Sequence, residues 1–463
     1  MLSVKKATKF AVANLIIVST VFSSVTPAIA QSDKSSKDES FAVGNTKNPK
    51  NVIFLVGDGM GPSFNTAYRY YKNDPHAKEM TPTAFDSYLK GTNRTYSNDP
   101  KQNITDSAAG GTAFSSGHKT YNGAIGVDSN KQKVKTVLKR AKEKGKSTGL
   151  VSTAELTDAT PAAYAAHVTS RDDKNEIAKQ FYKDKINGKH KVDVLLGGGA
   201  KYFGKSNGNL DKKFKKDGYD LATNSKELSK SDKDKVLGLF ADKNMPLAID
   251  ASKDEPSLAD MQQSALSKLE RNKKGFFLMV EGASIDKSAH SNDITGVMSE
   301  MEGFEKAFDD AIQYAKKHKD TLVVATADHS TGGLTIGKDK GYEWNPQPIK
   351  SMKHSGSYMT EKMAKGEDPE KVINEGYGFE FSQDDMKKVK KEKDEKSAEV
   401  ETQTKALQHA IQKPVNDKSY TGWTSDGHTG EDVNTYAYGP RSESFSGNIE
   451  NTESAKIIFD IFK

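Results

Sequence analysis

Three acidic residues stand just after apolar runs of the sequence. The runs and their acids are NVIFLV (51–56) with Asp58, FFLMV (276–280) with Glu281, and TLVVAT (321–326) with Asp328. A single acid in such a place is usually a helix cap or a turn residue. Ligands in an open α/β sheet bind at the carboxyl ends of the strands, so three such acids are expected to meet at one edge. The pattern therefore predicts a metal site there.

Pairing with a nearby acid distinguishes three of the ten histidines as candidate metal ligands. His290 stands four residues after Asp286, His329 follows Asp328 directly, and His428 lies in the glycine-flanked loop SDGHTG. If the first pair lies on a helix, both residues share one face. Imidazole with carboxylate suits zinc, whereas an all-oxygen set suits magnesium. Six other histidines are interpreted as surface or hydrogen-bonded residues: His76, His118, His190, His318, His354 and His409.

A serine followed by very small side chains could lie at the start of a helix. Ser107 opens the run SAAGGTA directly after Asp106, so nothing bulky would cover its hydroxyl. The amide groups of a helix N-terminus favour an anion there. Taken alone, however, this motif is better explained as an ordinary helix cap. Arg171 ends the later segment ELTDATPAAYAAHVTSR, and its guanidinium fork matches a phosphate group bidentately.

The apolar runs are continuous rather than alternating, which is typical of strands buried on both faces. Two further runs occupy 148–152 and 192–196. Apolar residues recur every three to four positions over 258–269 and 297–315, which predicts amphipathic helices. The sequence thus predicts an α/β fold, a largely parallel central sheet with helices on both faces. The strand at 276–280, the helix at 297–318 and the strand at 321–326 are expected to form a right-handed βαβ unit.

A single domain is predicted over residues 50–463. Two polar, lysine-rich stretches interrupt its alternation of strands and helices. Residues 205–256 are expected to be a peripheral excursion with one or two short helices. Residues 337–420 are expected to be an insertion between two parts of the domain. The insertion contains the charged run KKVKKEKDEK, whose mixed signs favour a solvated helix face over a binding patch.

Residues 1–30 have the pattern of a signal peptide. Lysines precede a mostly apolar core, and Ala28-Ile29-Ala30 supplies a small-x-small cleavage pattern. The core is shorter than the ~20 apolar residues of a membrane span, which makes an uncleaved anchor the less favoured alternative. We therefore expect cleavage after Ala30, a flexible leader over 31–49, and a secreted, extracytoplasmic protein without a stable membrane span.

Composition excludes several classes of protein. The 463 residues carry a formal net charge of only +6, with both signs interspersed. Specific nucleic-acid recognition would need a concentrated basic face, so it is not expected. The chain has no cysteine, which excludes disulfides, thiolate nucleophiles and cysteine-ligated zinc. Any metal must be held by histidine, carboxylate or hydroxyl groups.

The motifs resemble those of the bacterial alkaline phosphatases. The similar blocks, in the order of that family, are VGDGMG (56–61), TDSAAGGTAFSSGHKTYNGAIGVD (105–128), ELTDATPAAYAAHVTSR (155–171), FFLMVEGASIDKSAH (276–290), ATADHSTGG (325–333) and GHTG (427–430). The resemblance implies an exported enzyme that hydrolyses small phosphate monoesters at alkaline pH. It also implies a phosphoseryl intermediate on Ser107 and two Zn²⁺ ions plus one Mg²⁺ ion.

The resemblance further implies roles that the residues alone leave open. The implied ligand sets are Asp286, His290 and His428 for one zinc, Asp58, Asp328 and His329 for the other, and Asp58, Thr160 and Glu281 for magnesium. Arg171 would bind phosphate oxygens and Lys287 would reach phosphate through a water, with Asp106 and Asp158 supporting them. A crown-like or lid-like role for 337–420, a possible homodimer and phosphate scavenging are implied in the same way.

Other functions fit these residues less well. Sulfatases need a modifiable residue before x-Pro-x-Arg, whereas Ser107 precedes Ala-Ala-Gly. Phosphodiesterases of the superfamily lack the magnesium site, for which Thr160 and Glu281 are both present. Phosphoglycerate mutases share the metal core. An exported phosphate-binding or metal-binding protein would need no nucleophile, so the presence of Ser107 and Arg171 favours an enzyme.

Overall fold

The computed structural model describes residues 47–74, 76–339, 341–395 and 400–463, and the side chains of residues 400–402 are outside that description. The predicted signal peptide and the leader up to residue 46 also lie outside the described residues. Across the described ranges, no helix combines the length and the apolar character that a membrane crossing requires.

Ten strands form the main sheet and six short ones form three separate pairs within the described ranges. The strands are β1 (Asn51–Gly57), β2 (Leu89–Arg94), β3 (Ser147–Glu155), β4 (Lys185–Ile186), β5 (Lys189–His190), β6 (Val194–Gly198), β7 (Asp220–Ala222), β8 (Val236–Leu239), β9 (Phe276–Gly282), β10 (Thr321–Thr326), β11 (Ser330–Thr331), β12 (Thr335–Ile336), β13 (Thr421–Gly422), β14 (His428–Thr429), β15 (Val433–Tyr438) and β16 (Gly447–Glu450).

The α-helices lie between these strands. They are α1 (Pro62–Lys72), α2 (Ser107–Ser116), α3 (Val137–Glu143), α4 (Ala159–Ala165), α5 (Lys174–Lys183), α6 (Leu210–Lys216), α7 (Ser225–Lys230), α8 (Leu258–Leu269), α9 (Ser284–Ala289), α10 (Ile294–Lys317), α11 (Gln347–Ser351), α12 (Gly356–Ala364), α13 (Pro369–Gly376), α14 (Gln383–Asp394), α15 (Val400–Ser419) and α16 (Asn451–Ile461).

The main sheet has the order β16-β2-β15-β10-β1-β9-β3-β6-β8-β7. Every neighbouring pair from β10 to β7 is parallel, whereas β15 is antiparallel to both β10 and β2. The predicted α/β fold with a largely parallel sheet is therefore confirmed. β9, α10 and β10 occur as predicted, with β1 inserted between the two strands.

Strand β1 explains why the apolar runs are continuous. Its side chains alternate between two buried clusters, with Val52 and Phe54 in one and Ile53 and Leu55 in the other. The first cluster includes residues of α2, α4 and α16, and the second includes residues of α1, α8 and α10. Helices thus cover both faces of the sheet, and a central strand needs apolar residues at every position.

The prediction for residues 205–256 is wrong in one respect. The two short helices α6 and α7 are present, but the segment also adds β7 and β8 to the edge of the main sheet. β8 pairs with β6 and β7 pairs with β8, both in parallel. The sequence analysis did not predict these strands, because they are only three and four residues long and their neighbours are rich in lysine.

Residues 337–420 contain helices α11 to α15 in the described ranges. Two chain segments at the base of this stretch are paired, because β12 and β13 are antiparallel with Thr335 opposite Gly422. Side chains of the stretch, including Met359, Ile373 and Ile411, join the buried cluster on the α10 side of the sheet. The segment is therefore packed against the body of the protein.

The register of the central strands aligns their carboxyl ends. Val56 in β1 lies opposite Thr326 in β10 and opposite Glu281 in β9. Since these strands are parallel, the residues that follow them emerge at the same edge of the sheet. Ser152 of β3 lies opposite Glu281 as well, and α4 begins a few residues after β3 ends.

Candidate metal centre

A first group of metal-ligating side chains consists of Asp286, His290 and His428. Asp286 lies in α9, and His290 is the residue that ends this helix, so the two are one turn apart. The Nε2 atom of His290 is 3.3 Å from Asp286 Oδ1, and that of His428 is 3.6 Å from the same oxygen. The two Nε2 atoms are 3.2 Å apart. Three donor atoms thus converge on one point.

Backbone carbonyls determine which ring nitrogens of this group carry protons. His290 Nδ1 lies 2.5 Å from the carbonyl oxygen of Asp426, and His428 Nδ1 lies 2.9 Å from that of Thr105. A carbonyl only accepts hydrogen bonds, so each Nδ1–H is the donor. Each Nε2 then presents its lone pair to the common point, which is the arrangement of metal-binding histidines.

A second group consists of Asp58, Asp328 and His329, all of them buried. His329 Nε2 is 3.4 Å from Asp58 Oδ1 and 3.3 Å from Asp328 Oδ2. Both of those carboxylate oxygens are buried without a hydrogen-bond partner. The other oxygen of Asp328 accepts a bond from the backbone N–H of Gly59 at 3.2 Å. Buried carboxylate oxygens without partners are costly, and a cation would remove that cost.

Thr331 connects the two groups and was missed in the sequence analysis. Its hydroxyl donates to Asp286 Oδ1 at 2.5 Å and lies 3.3 Å from His329 Nδ1. A hydroxyl that donates to a carboxylate can accept from an imidazole N–H, which leaves His329 Nε2 unprotonated. The signal available was the position of Thr331 within the ATADHSTGG block.

Glu281 and Thr160 lie on neighbouring elements at the same edge. Glu281 is almost fully buried in β9, and its Oε2 accepts a 2.5 Å hydrogen bond from Ser152 of β3. Thr160 is fully buried in the first turn of α4, close enough to Glu281 for its hydroxyl to lower the pKa of that carboxyl. Glu281 also raises the pKa of Asp58. These oxygen donors adjoin the second group.

The carboxylates of this crevice disfavour one another's charge. Burial, followed by Asp328, Asp286 and Glu281, raises the pKa of Asp58 well above its ordinary value. Burial and the charge of Asp286 raise the pKa of Asp328 to about 8. Burial likewise raises the pKa of Glu281 to about 7, against the lowering effect of Ser152. Excess negative charge in a buried crevice is the electrostatic signature of a cation site.

Ser107 is the first residue of α2 and is buried beside the second group. Its Oγ lies 3.2 Å from His329 Nε2. Asp106 caps the helix by accepting a 2.9 Å hydrogen bond from the backbone N–H of Ala109. A side chain at position 110 would approach Asp328 Cβ to 3.1 Å, so the glycine there allows α2 to pack closely against the second group. The small residues after Ser107 thus have a packing role.

Two aspartates orient the guanidinium of Arg171. Its Nη1 lies 3.1 Å from Asp106 Oδ2, and its Nη2 lies 3.2 Å from Asp158 Oδ1. Lys287 Nζ approaches the other oxygen of Asp158 at 2.9 Å. Burial alone would raise the pKa of Asp158, but Lys287, Arg171 and Lys174 outweigh it and lower that pKa. Asp158 is therefore a shared anion between two cations.

The histidines that the sequence analysis interprets as surface or hydrogen-bonded residues are not members of either group of metal-ligating side chains. His318 stacks on Tyr314, and His354 lies 2.9 Å from Asp250. His409 of α15 is closer to the first group, because its Nε2 lies 3.1 Å from the side-chain carboxylate of Asp426. The backbone carbonyl of the same Asp426 accepts the hydrogen bond from His290 Nδ1.

The chain is similar to known proteins over most of its length. The family model described as alkaline phosphatase matches residues 49–463. Alkaline phosphatase 3 of Bacillus subtilis (strain 168) is 50% identical over 459 residues, which cover 98% of this chain and 96% of that protein.

Two solved structures are also similar. The cold-active alkaline phosphatase of the psychrophile Shewanella sp. has a TM-score of 0.81 and 38% identity, covering 89% of this chain and 100% of that one. A histidine-to-aspartate mutant of TAB5 alkaline phosphatase, with Mg bound in its M3 site, has a TM-score of 0.65 and 28% identity, covering 90% and 99%.

Proposed function

The chain belongs to the alkaline phosphatase family and is a phosphate monoester hydrolase, and we propose that Ser107 is its nucleophile. The observation that carries this proposal is the position of Ser107 Oγ, 3.2 Å from His329 Nε2 and at the N-terminus of α2. The helix terminus and the neighbouring Arg171 favour a dianionic phosphoryl group at this point. In this scheme the serine oxygen forms a bond to phosphorus while the ester oxygen leaves, and water then hydrolyses the phosphoserine.

Arg171 is the proposed phosphate-binding group. Each of its terminal nitrogens carries two protons, and one hydrogen bond from each goes to Asp106 and Asp158 respectively. The remaining protons are available to two phosphate oxygens. Because both aspartates fix the plane of the guanidinium before substrate arrives, little side-chain entropy is lost on binding.

The two groups of histidine and carboxylate side chains fit zinc. The first group would hold one ion through Asp286, His290 and His428, and the second group would hold another through Asp58, Asp328 and His329. The orphaned oxygens of Asp58 and Asp328 support this assignment. When bound, such ions supply positive charge to the attacking and leaving oxygens of a phosphoryl transfer.

The oxygen-only set beside the second group fits magnesium. Asp58, Thr160 and Glu281 offer carboxylate and hydroxyl oxygens, which are the ligands that Mg²⁺ prefers. The histidine-to-aspartate mutant of TAB5 alkaline phosphatase holds Mg in its M3 site, which supports a third site in this chain by similarity. Asp158 is close enough to this set for its charge to raise the pKa of Glu281, while it pairs with Arg171 and Lys287.

The wider role is proposed from the resemblance. We propose that residues 1–30 direct export, that the enzyme releases inorganic phosphate from extracellular monoesters for scavenging, and that it forms a homodimer. We also propose that the helical segment 337–420 acts as a crown or lid near the site. N-terminal sequencing of the protein from culture medium tests the first point, and a mature chain that begins at Gln31 is the expected result.

A trapping experiment tests the nucleophile. The metal-loaded enzyme is mixed with a chromogenic phosphate monoester and quenched in acid, and peptide mass spectrometry is expected to find phosphate on Ser107. Rates are compared with those for the matching diester and sulfate, and the monoester should be hydrolysed fastest by far. Phosphate found on another residue would overturn the assignment of Ser107 as the nucleophile, whereas the membership of the chain in the family would stand.

A further inference from the structure

Helix α15 contacts both loops that carry the histidines of the first group. His290 is followed by the turn 291–292, and His428 is preceded by the segment 423–427. These two loops lie far apart in the sequence. The second is also bonded to the backbone of Gly332, and β14 pairs with β11, so α15 is the element that joins it to the turn after His290 from the other side of the chain. α15 belongs to the segment 337–420, for which the sequence predicted no link to the metal ligands.

The turn after His290 is held by two side chains of α15. Asn416 Nδ2 donates to the carbonyl oxygen of Asn292 at 2.9 Å, and Gln408 Oε1 accepts from the Ser291 hydroxyl at 3.1 Å. Asn292 has a φ of 51°, so its backbone lies in the left-handed region. Asparagine tolerates this conformation at the end of a helix, and the backbone N–H groups of Asn292 and Asp293 donate to the carbonyls of Ala289 and Ser288. The contacts from α15 add to these local bonds.

The segment before His428 is held by the same helix. Asn416 Oδ1 accepts a hydrogen bond from Trp423 Nε1 at 3.3 Å, so one amide side chain contacts both loops. His409 Nε2 lies 3.1 Å from Asp426 Oδ1 without a hydrogen bond between them, and the same oxygen accepts a hydrogen bond from Asn292 Nδ2 at 3.1 Å. The carbonyl of Asp426 then accepts the Nδ1–H of His290.

The helix itself is anchored in the protein core. One face of α15 is buried through Leu407, Ile411 and Val415. These side chains belong to the buried cluster that also includes residues of α1, α8 and α10. Asn416 is 8% exposed. A side chain on a helix packed in this way has few alternative rotamers, so it can fix the position of a loop that it contacts.

We propose that α15 positions the imidazoles of His290 and His428, with Asn416 as its central contact and Gln408 and His409 as supports. The proposal rests on the proposed function in one respect, namely that the first group holds zinc. Side chains that orient metal ligands from behind typically change metal affinity by about 10-fold to 100-fold when they are removed. Asn416, Gln408 and His409 are therefore positioning residues, which do not contact the reacting atoms themselves.

Zinc release measures this positioning without measuring activity. The full-length, zinc-loaded protein is mixed with an excess of a chromophoric chelator, and the release of each zinc equivalent is followed. Asn416→Ala is expected to speed the release of one equivalent by about tenfold and to leave the other unchanged. Lys413→Ala is the control, because Lys413 lies on the same helix and its ammonium pairs with Asp417 of that helix.

The outcomes separate the inference from the proposed function. Equal release rates in Asn416→Ala and the wild type, or faster release of both equivalents, would overturn the positioning role while leaving zinc binding intact. A wild-type protein that binds no zinc would overturn the zinc assignment and the inference together. Gln408→Ala, which removes only the Ser291 contact, provides the same measurement if Asn416→Ala does not fold.

Discussion

Lys287 and Arg171 share one carboxylate, that of Asp158, with Lys287 on one oxygen at 2.9 Å and Arg171 on the other at 3.2 Å. Lys287 follows the candidate ligand Asp286 in α9, whereas Asp158 precedes α4. The ion pair therefore joins the element that carries one metal ligand to the element that carries Thr160. If phosphate binds beside Arg171 as proposed, the charge of Lys287 would attract substrate and product alike.

Lys287→Ala is expected to weaken inhibition by inorganic phosphate. A cation that binds the phosphate group of substrate and transition state equally does not raise kcat. Since it also holds the product, kcat should stay the same or rise in the variant if phosphate release limits the rate. The measurement is an inhibition series at one alkaline pH with fixed zinc and magnesium. Lys306→Ala is the matched control, since Lys306 pairs with Asp310 on the surface of α10. An unchanged inhibition constant would remove Lys287 from the phosphate site.

Ser107→Ala is expected to keep the fold and the bound metal but to lose most of the monoesterase activity. Ser107 is followed by small residues in a helix packed against α4, so alanine fits there without strain. A residual rate is expected because water can still attack a bound ester. Circular dichroism and elemental analysis check the fold and the metal content. Turnover at the wild-type rate would contradict the role of Ser107.

Removal of metal is expected to abolish activity and to lower the thermal midpoint. The carboxylates of Asp58, Asp328 and Glu281 would then lie in one buried crevice without a cation to offset their repulsion. Zinc should restore most of the rate, and magnesium should add to it. The measurement is thermal unfolding and monoester hydrolysis before and after dialysis against a chelator. Full activity in protein that elemental analysis shows to be free of zinc would disprove the zinc assignment.

Glu300→Gln is expected to stabilise the protein above neutral pH. Burial and the charge of Asp250 raise the pKa of Glu300 to about 7, against the lowering effect of a 2.7 Å hydrogen bond from the Ala248 backbone N–H. A carboxyl with a raised folded-state pKa favours folding at acidic pH, and this contribution is lost as the pH rises through 7. Glutamine retains an oxygen that accepts from Ala248 and has no charge to bury.

The thermal midpoint of Glu300→Gln should therefore exceed that of the wild type at pH 8 to 9 and match it near pH 4. The gain at high pH is limited to about 3 kcal/mol, since each unit of pKa shift is worth about 1.4 kcal/mol. Glu302→Gln, at an exposed position on the same helix, is the control. A constant difference across this pH range would show that the ionisation of Glu300 has no influence on stability.

Much of the candidate site could be predicted because its residues follow regular elements. Asp58, Glu281 and Asp328 come at the ends of buried parallel strands, and the direction of such strands brings those ends together. The apolar runs fixed the type and nearly the bounds of β1, β9 and β10. Local pattern was enough in these cases because burial on both faces leaves a clear signal in the sequence.

The contacts that support the ligands could not be predicted in this way. Thr331 and Asp426 contact the ligands Asp286 and His290 through pairings between distant segments, and neither residue type is diagnostic alone. The same holds for Asn416 of α15, whose partners Asn292 and Trp423 lie on other loops. Such contacts depend on how distant segments pack against one another, and hydrophobic periodicity within one segment carries no information about that packing.

The place of β1 in the sheet constrains the order in which the chain can fold during its synthesis. β1 is the first strand of the sheet, yet its two neighbours are β9 and β10, so Asn51 pairs with Thr321. A chain that has emerged only as far as residue 270 offers β1 neither neighbour. The central strands therefore assemble late, after most of the polypeptide has been made, and contacts of such long range slow folding. The centre of the sheet therefore cannot close until the chain has been made at least as far as β10, which ends at Thr326.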